Sequence, residues 1–279
     1  MKVLANSLPK SGTHVLTRIL DLIGFEANSL HFSGAITRNR SNNPIKIIKN
    51  RIETTLNVSE GFCLDLDEDR FLRNKYFAKL INSFADETYS QAHIPYSIEL
   101  ENEFEKNDIK ILYIIRDPRD VLISHFHHHH RDENYDGHKL MNLQTNDKDK
   151  ILLSLNGFNL NTYNPTLPLK ERIERTKGWY FTKSKNVCSV KFEDIIGVKG
   201  LSSEEKQIET IKKIEDFLEI NDSSLLKQKD KIYYEKAETF RKAKINDWKN
   251  YFDEEIKVLV KNSMGDYLIE LGYENDLNW

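Results

Sequence analysis

Residues 2 to 25 restrict what this chain can fold into more than any other stretch. An apolar run, KVLANSL (2–8), meets the turn PKSG (9–12), which opens into GTHVLTRILDLIGF (12–25). There Val15, Leu16, Ile19, Leu20 and Ile23 recur at helical spacing up to Gly24. The pattern predicts a strand, a tight turn carrying a lysine, and a helix. The same unit comes again at IKILYIIRD (109–117), a nearly continuous apolar run suited to a central parallel strand buried on both faces. A helix is expected from Pro118, with Val121, Leu122 and Phe126 behind it. NVCSVKFED (186–194) reads as a third strand. SSEEKQIETIKKIEDFLEI (202–220) reads as a helix capped by Ser202 or Ser203, with glutamates in its first turn. Strands alternating with helices predict an α/β chain with a central parallel sheet flanked by helices. We expect one domain over residues 1–279, with the polar stretch from about Asp132 to Leu169 as a long excursion close to the active site.

Composition bounds the function. With 41 basic and 44 acidic side chains the formal charge is −3, which excludes an overall attraction to nucleic acid or an anionic membrane and leaves room for local basic patches. Cys63 and Cys188 are too few for a disulfide framework and are expected as free buried thiols in a reducing compartment. No segment has the length of a signal-peptide core or of a membrane span, so a soluble cytoplasmic protein is expected.

In an open parallel sheet, ligands bind outside the carboxyl ends of the strands, and LPKSGTH lies at such an end. A helix beginning near Gly12 offers backbone N–H groups and the positive end of its dipole, so the turn is a predicted anion cradle. It is not the G-x-x-x-x-G-K-[ST] loop of nucleoside triphosphatases, because Lys10 precedes the glycine; a magnesium-dependent kinase is disfavoured. HFHHHH (125–130) places five histidines around one helix, where only one or two converge, so acceptor contact is preferred to metal binding and no metal is expected. Trp179 and Tyr180 read as core.

Four stretches, in order, resemble the sulfotransferase family. PKSGTHV (9–15) is similar to the family's 5'-phosphosulfate loop P-K-S-G-T-T-W, and QAHIP (91–95) to its K-T-H-L-P segment. IIRDPRDVLIS (114–124) resembles its 3'-phosphate motif, and FRKAKINDWKNYF (240–252) its C-terminal R-K-G-x-x-G-D-W-K-N-x-F. The resemblance implies a P-loop-like sulfotransferase fold and transfer of a sulfuryl group from 3'-phosphoadenosine 5'-phosphosulfate (PAPS) to a hydroxyl, leaving 3'-phosphoadenosine 5'-phosphate (PAP). It implies Lys10 and His93 as catalytic residues, His93 being the base. Lys10, Ser11, Gly12, Thr13 and His14 would hold the 5' end, Arg116, Ser124, Arg241 and Lys242 the 3'-phosphate, with Phe192 at an aromatic position often filled by tyrosine. The acceptor is a small molecule, saccharide or lipid bearing a hydroxyl. Gln91 stands where the family has lysine, and Val15 where a tryptophan stacks on adenine. These departures keep open a non-catalytic nucleotide-binding or scaffold protein of the same fold.

Overall fold

A computed structural model describes residues 1–32, 44–57, 60–131, 133, 137–158, 165–233 and 245–279. The chain begins with β1 (Lys2–Ser7), α1 (Thr13–Leu22), β2 (Glu26–Phe32) and α2 (Pro44–Glu53). Three short strands follow, β3 (Thr54–Leu56), β4 (Phe62–Cys63) and β5 (Arg70–Leu72), then α3 (Asn74–Asn82), β6 (Thr88–Ala92) and α4 (Ile98–Lys106). Next come β7 (Ile109–Ile115), α5 (Pro118–Arg131), α6 (His138–Leu143), α7 (Asp147–Asn156), α8 (Leu169–Thr176) and α9 (Gly178–Phe181). The last elements are β8 (Val187–Lys191), α10 (Phe192–Ile195), α11 (Glu204–Phe217) and α12 (Glu254–Glu270).

The main sheet has the order β2-β6-β1-β7-β8, with every pairing parallel. β1 is its middle strand, with Ser7 beside Ile114 of β7 and Asn6 beside Ala92 of β6. Because side chains alternate along a strand, β1 and β7 feed two cores. Val3, Ala5, Leu112 and Ile114 pack with Leu16, Ile19 and Leu20 of α1 and with Ile211 and Ile214 of α11. Leu4, Ile111, Tyr113 and Ile115 face the other way, toward Phe104, Phe126 and Trp179. Trp179 is wholly buried and donates its indole N–H to the Ile94 carbonyl at 3.2 Å, as a core residue must if its polar atom is to stay paired. The small sheet, in the order β3-β5-β4, is antiparallel. Cys63 and Cys188 are free thiols. Among the described residues no helix is long and apolar enough to cross a membrane.

Two expectations need correction. The strand predicted to reach residue 194 stops at Lys191, and Phe192–Ile195 turns into α10, whose Glu193 carbonyl accepts the Ser202 hydroxyl. The excursion from Asp132 to Leu169 is largely helical where it is described. α7 is capped by Asn146, whose side chain accepts the Asp149 N–H at 2.8 Å, and Met141 of α6 and Ile151 and Leu155 of α7 are buried. The cap of α11 is Ser203, whose hydroxyl accepts the Lys206 N–H.

Candidate active site

The turn after β1 closes through Ser11 N–H to the Leu8 carbonyl at 3.1 Å, with Lys10 in the left-handed region at φ 72°. Such a conformation costs a non-glycine residue about 1 kcal/mol or more and persists only where its surroundings enforce it. Gly12 has φ 111° and is the N-cap of α1, with no side chain capping the helix among the described residues. Any Cβ at Gly12 would lie 2.6 Å from Cδ2 of Phe192, so only glycine lets the ring and the turn meet. The first-turn N–H groups of α1 thus rise at the carboxyl end of the middle strand. Ser11 and Thr13 are buried, and the Thr13 hydroxyl hydrogen-bonds the Ser7 hydroxyl at 2.6 Å, while His14 is exposed. Thr13 therefore serves the turn from within through its side chain.

His93 follows β6 directly, beside the end of β1. Its Nδ1 lies 2.9 Å from the Ser7 carbonyl oxygen and its own N–H donates to the Phe32 carbonyl. A carbonyl only accepts, so Nδ1 carries the proton and Nε2 is the basic nitrogen. Asn6 holds the next residue on both sides, accepting Ile94 N–H at 3.1 Å and donating to its carbonyl at 3.5 Å. Burial pushes the His93 pKa down to about 4, aided by the positive charges of Arg172, His14 and Lys10 and opposed by the Ser7 hydrogen bond. The imidazole is neutral at neutral pH.

Arg116 follows β7 at the same edge of the sheet. It is 9% exposed, with its guanidinium 4.5 Å over the Phe192 ring and 4.0 Å from Asp120. Arg119, three residues on, is committed elsewhere: it holds Asp117 in a bidentate pair and lies over the Trp248 and Trp279 rings at 4.2 and 4.5 Å. Asp120 accepts Asn246 N–H at 2.8 Å and Trp248 N–H at 2.9 Å, which ties the segment after residue 244 to the helix that follows Arg116. Burial raises the Asp120 carboxyl to about 6 and Glu193, which accepts Asp117 N–H, to about 7. Ser124 is half-buried on α5. Gln91 is half-buried in β6 between β1 and β2, and Val15 half-buried on α1. Arg241 and Lys242 lie outside the described residues.

A second group was not visible in the sequence. Arg172 of α8, 4% exposed, forms an ion pair with Asp67, its Nε 3.0 Å from Oδ1, and donates from Nη1 to His125 Nε2 at 3.3 Å. His125 Nε2 in turn lies 2.9 Å from His129 Nε2, so the helical i, i+4 pair is the part of the histidine run that converges. A guanidinium only donates, so His125 Nε2 accepts and the proton between the rings sits on His129 Nε2. Burial, with Arg172 and Lys10 nearby, lowers His129 to about 3 and His125 well below its ordinary value. In the sequence the one signal for this group is the histidine run itself, whose i, i+4 spacing lets one or two rings converge. Nothing marked Arg172 or Asp67.

A family model described as the sulfotransferase domain matches residues 1–269, and the chain belongs to that family. The fold agrees. Mouse sulfotransferase SULT7A1, solved with PAP, superposes with a TM-score of 0.57 at 16% identity over 96% of this chain and 84% of that one. Retinol dehydratase, solved with retinol and PAP, gives 0.53 at 18% identity over 96% and 81%. At such identities the likeness is one of fold. No curated protein matches the chain in sequence.

Proposed function

We propose that the protein transfers a sulfuryl group from PAPS to the hydroxyl of a small acceptor, with His93 as base. One observation carries the reading: the Phe192 ring touches Gly12 at the start of α1 and also lies under the Arg116 guanidinium, so two anion-binding arms share one aromatic. A ligand with phosphates at two positions of one nucleoside fits such a pair. PAP in the two similar structures supports the same choice. The donor would supply the sulfuryl group.

The chain's residues divide the remaining work. The first-turn N–H groups of α1 and the Ser11 to His14 backbone hold the 5' end, and Lys10 offsets the charge that grows on the leaving oxygen. Arg116, with Ser124, Arg241 and Lys242, takes the 3'-phosphate, where each charge-assisted bond contributes about 1.5–3 kcal/mol. His93 Nε2 accepts the acceptor's proton as its oxygen attacks sulfur in line, while Nδ1–H stays on the Ser7 carbonyl and fixes the ring.

Calorimetric titration of PAP and adenosine 5'-phosphate tests the donor. Wild type should prefer PAP, and Arg116→Ala should lose about tenfold to a hundredfold of that preference. Equal affinity of wild type for both nucleotides would overturn the reading. Labelled donor incubated with a panel of hydroxyl compounds separates an enzyme from a scaffold: tight binding without transfer across the panel would favour the scaffold.

A further inference from the structure

α2 bears an apolar stripe turned outward. Ile45, Ile48 and Ile52 are 75%, 58% and 50% exposed, and Leu56, at the end of β3, is 47% exposed. Spacings of three and four residues put the isoleucines on one face of the helix. Large side chains are seldom left in water in such a row without a surface to cover them.

Charge says which surface. The α2 segment, residues 44 to 53, contains Lys46, Lys49 and Arg51 against one carboxylate, Glu53. That segment carries +2 in a chain of net −3, so the rest of the molecule carries −5. A second copy of the chain would bring the same positive segment against itself. A surface of anionic lipid headgroups attracts the segment and repels the remainder, which also fixes the orientation.

The chain's path places the stripe with respect to the site. β2 ends at Phe32, whose carbonyl takes the His93 N–H, so the chain departs toward α2 from the carboxyl edge of the sheet beside the base. After α2 it enters β3, which pairs with β5, and the loop before β5 supplies Asp67 to Arg172. α2 is thus inserted between the strand that positions the base and the loop that holds the histidine cluster's arginine.

We infer that α2 is a lipid-surface docking element, which lays Ile45, Ile48 and Ile52 into the headgroup boundary of an anionic membrane and turns the acceptor side of the site toward it. Docking stands without the donor. Its corollary, that the acceptor is a hydroxyl-bearing amphiphile met at the lipid surface, rests on the sulfuryl-transfer reading.

Co-sedimentation of the full chain with vesicles of phosphatidylcholine alone, or mixed with phosphatidylglycerol, tests it. Wild type should partition about tenfold more strongly onto the anionic vesicles, less so as salt rises. Ile45→Ser/Ile48→Ser/Ile52→Ser should lose about tenfold of that binding with far-UV circular dichroism and PAP affinity unchanged. Lys46→Glu/Lys49→Glu should remove the preference for anionic lipid. Absence of vesicle binding, equal binding to both vesicle types, or undiminished binding by the isoleucine variant would overturn the proposal. Self-association of wild type that disappears in that variant would overturn it in favour of a second copy. PAP affinity, measured without vesicles, reports on the donor independently.

Discussion

The two parts of the site, proposed above for nucleotide and for acceptor, are built in opposite ways. On the first, Lys10 to Thr13 and the nearby Arg116 arm come from chain runs that are local in sequence, and their shape is enforced by backbone: a left-handed Lys10, a Gly12 that tolerates no side chain, and the start of a helix. On the second, Asp67, Arg172 and the His125–His129 pair of α5 arrive from three separate parts of the chain and are held by side chains to one another. A backbone cradle is written in contiguous residues and tolerates little change. A side-chain chain depends on every link staying buried and paired. His93 belongs to both, fixed by the Ser7 carbonyl of the cradle and made less basic by burial first and by Arg172 of the chain in addition.

The largest expected effect falls on that shared residue. His93→Gln should lower the rate of labelled sulfuryl transfer by ~10²–10⁴ with PAP affinity retained, since a positioned base contributes about that much. A variant as fast as wild type would move the base to the acceptor side, with His125 the next residue to replace. Next comes the burial of the side-chain chain. Asp67→Ala leaves the Arg172 guanidinium buried without its carboxylate and should cost about 3–5 kcal/mol in urea unfolding. Asp69→Ala, which removes the more exposed partner of Arg175, should cost at most about 1 kcal/mol. Similar losses from the two would mean that the Asp67 pair is not a buried tie.

The smallest effect is in pH. His93, His125 and His129 have folded pKa values below the ordinary histidine value of about 6.5, so below that pH the unfolded chain binds more protons and stability falls with acidity toward pH 4. Asp120 and Glu193 act with the opposite sign: their folded pKa values are raised, to about 6 and about 7, so they stabilise below the unfolded carboxyl values and lose that contribution as pH rises through the folded ones. Three histidines against two carboxyls leave a net difference of about one proton near pH 5, so stability should rise by roughly 1–2 kcal/mol per pH unit there. His129→Gln should flatten that slope, and Asp120→Asn should steepen it. Denaturant midpoints measured from pH 4.5 to 6.5 give the answer, and a flat wild-type profile would contradict the burial assigned to the three rings.

Legibility in the sequence followed the same division. β1, its turn and α1 could be read because apolar period, glycine and lysine lie within one short stretch. β7 could be read because a strand covered on both faces is apolar throughout. β6, which reads TYSQA, could not, although Ser90 is wholly buried, because its polar side chains find partners only in the folded sheet. His93 was reached through resemblance rather than pattern. Arg172 sits in KERIER, an ordinary charged helical stretch, and its carboxylate is more than a hundred residues upstream. No local signal marks such a pair.

The position of β1 in the sheet has a consequence for how the protein is made. The middle strand leaves the ribosome well before its neighbours, β6 and β7, which end at Ala92 and Ile115. At roughly 5–20 residues per second, the apolar residues Val3, Leu4 and Ala5 wait several seconds or more without either partner. Nascent chains of this protein therefore expose β1 while both of its partners are unmade, and a holdase that covers β1 at that stage would raise the yield of native protein more than one acting after β8 has emerged.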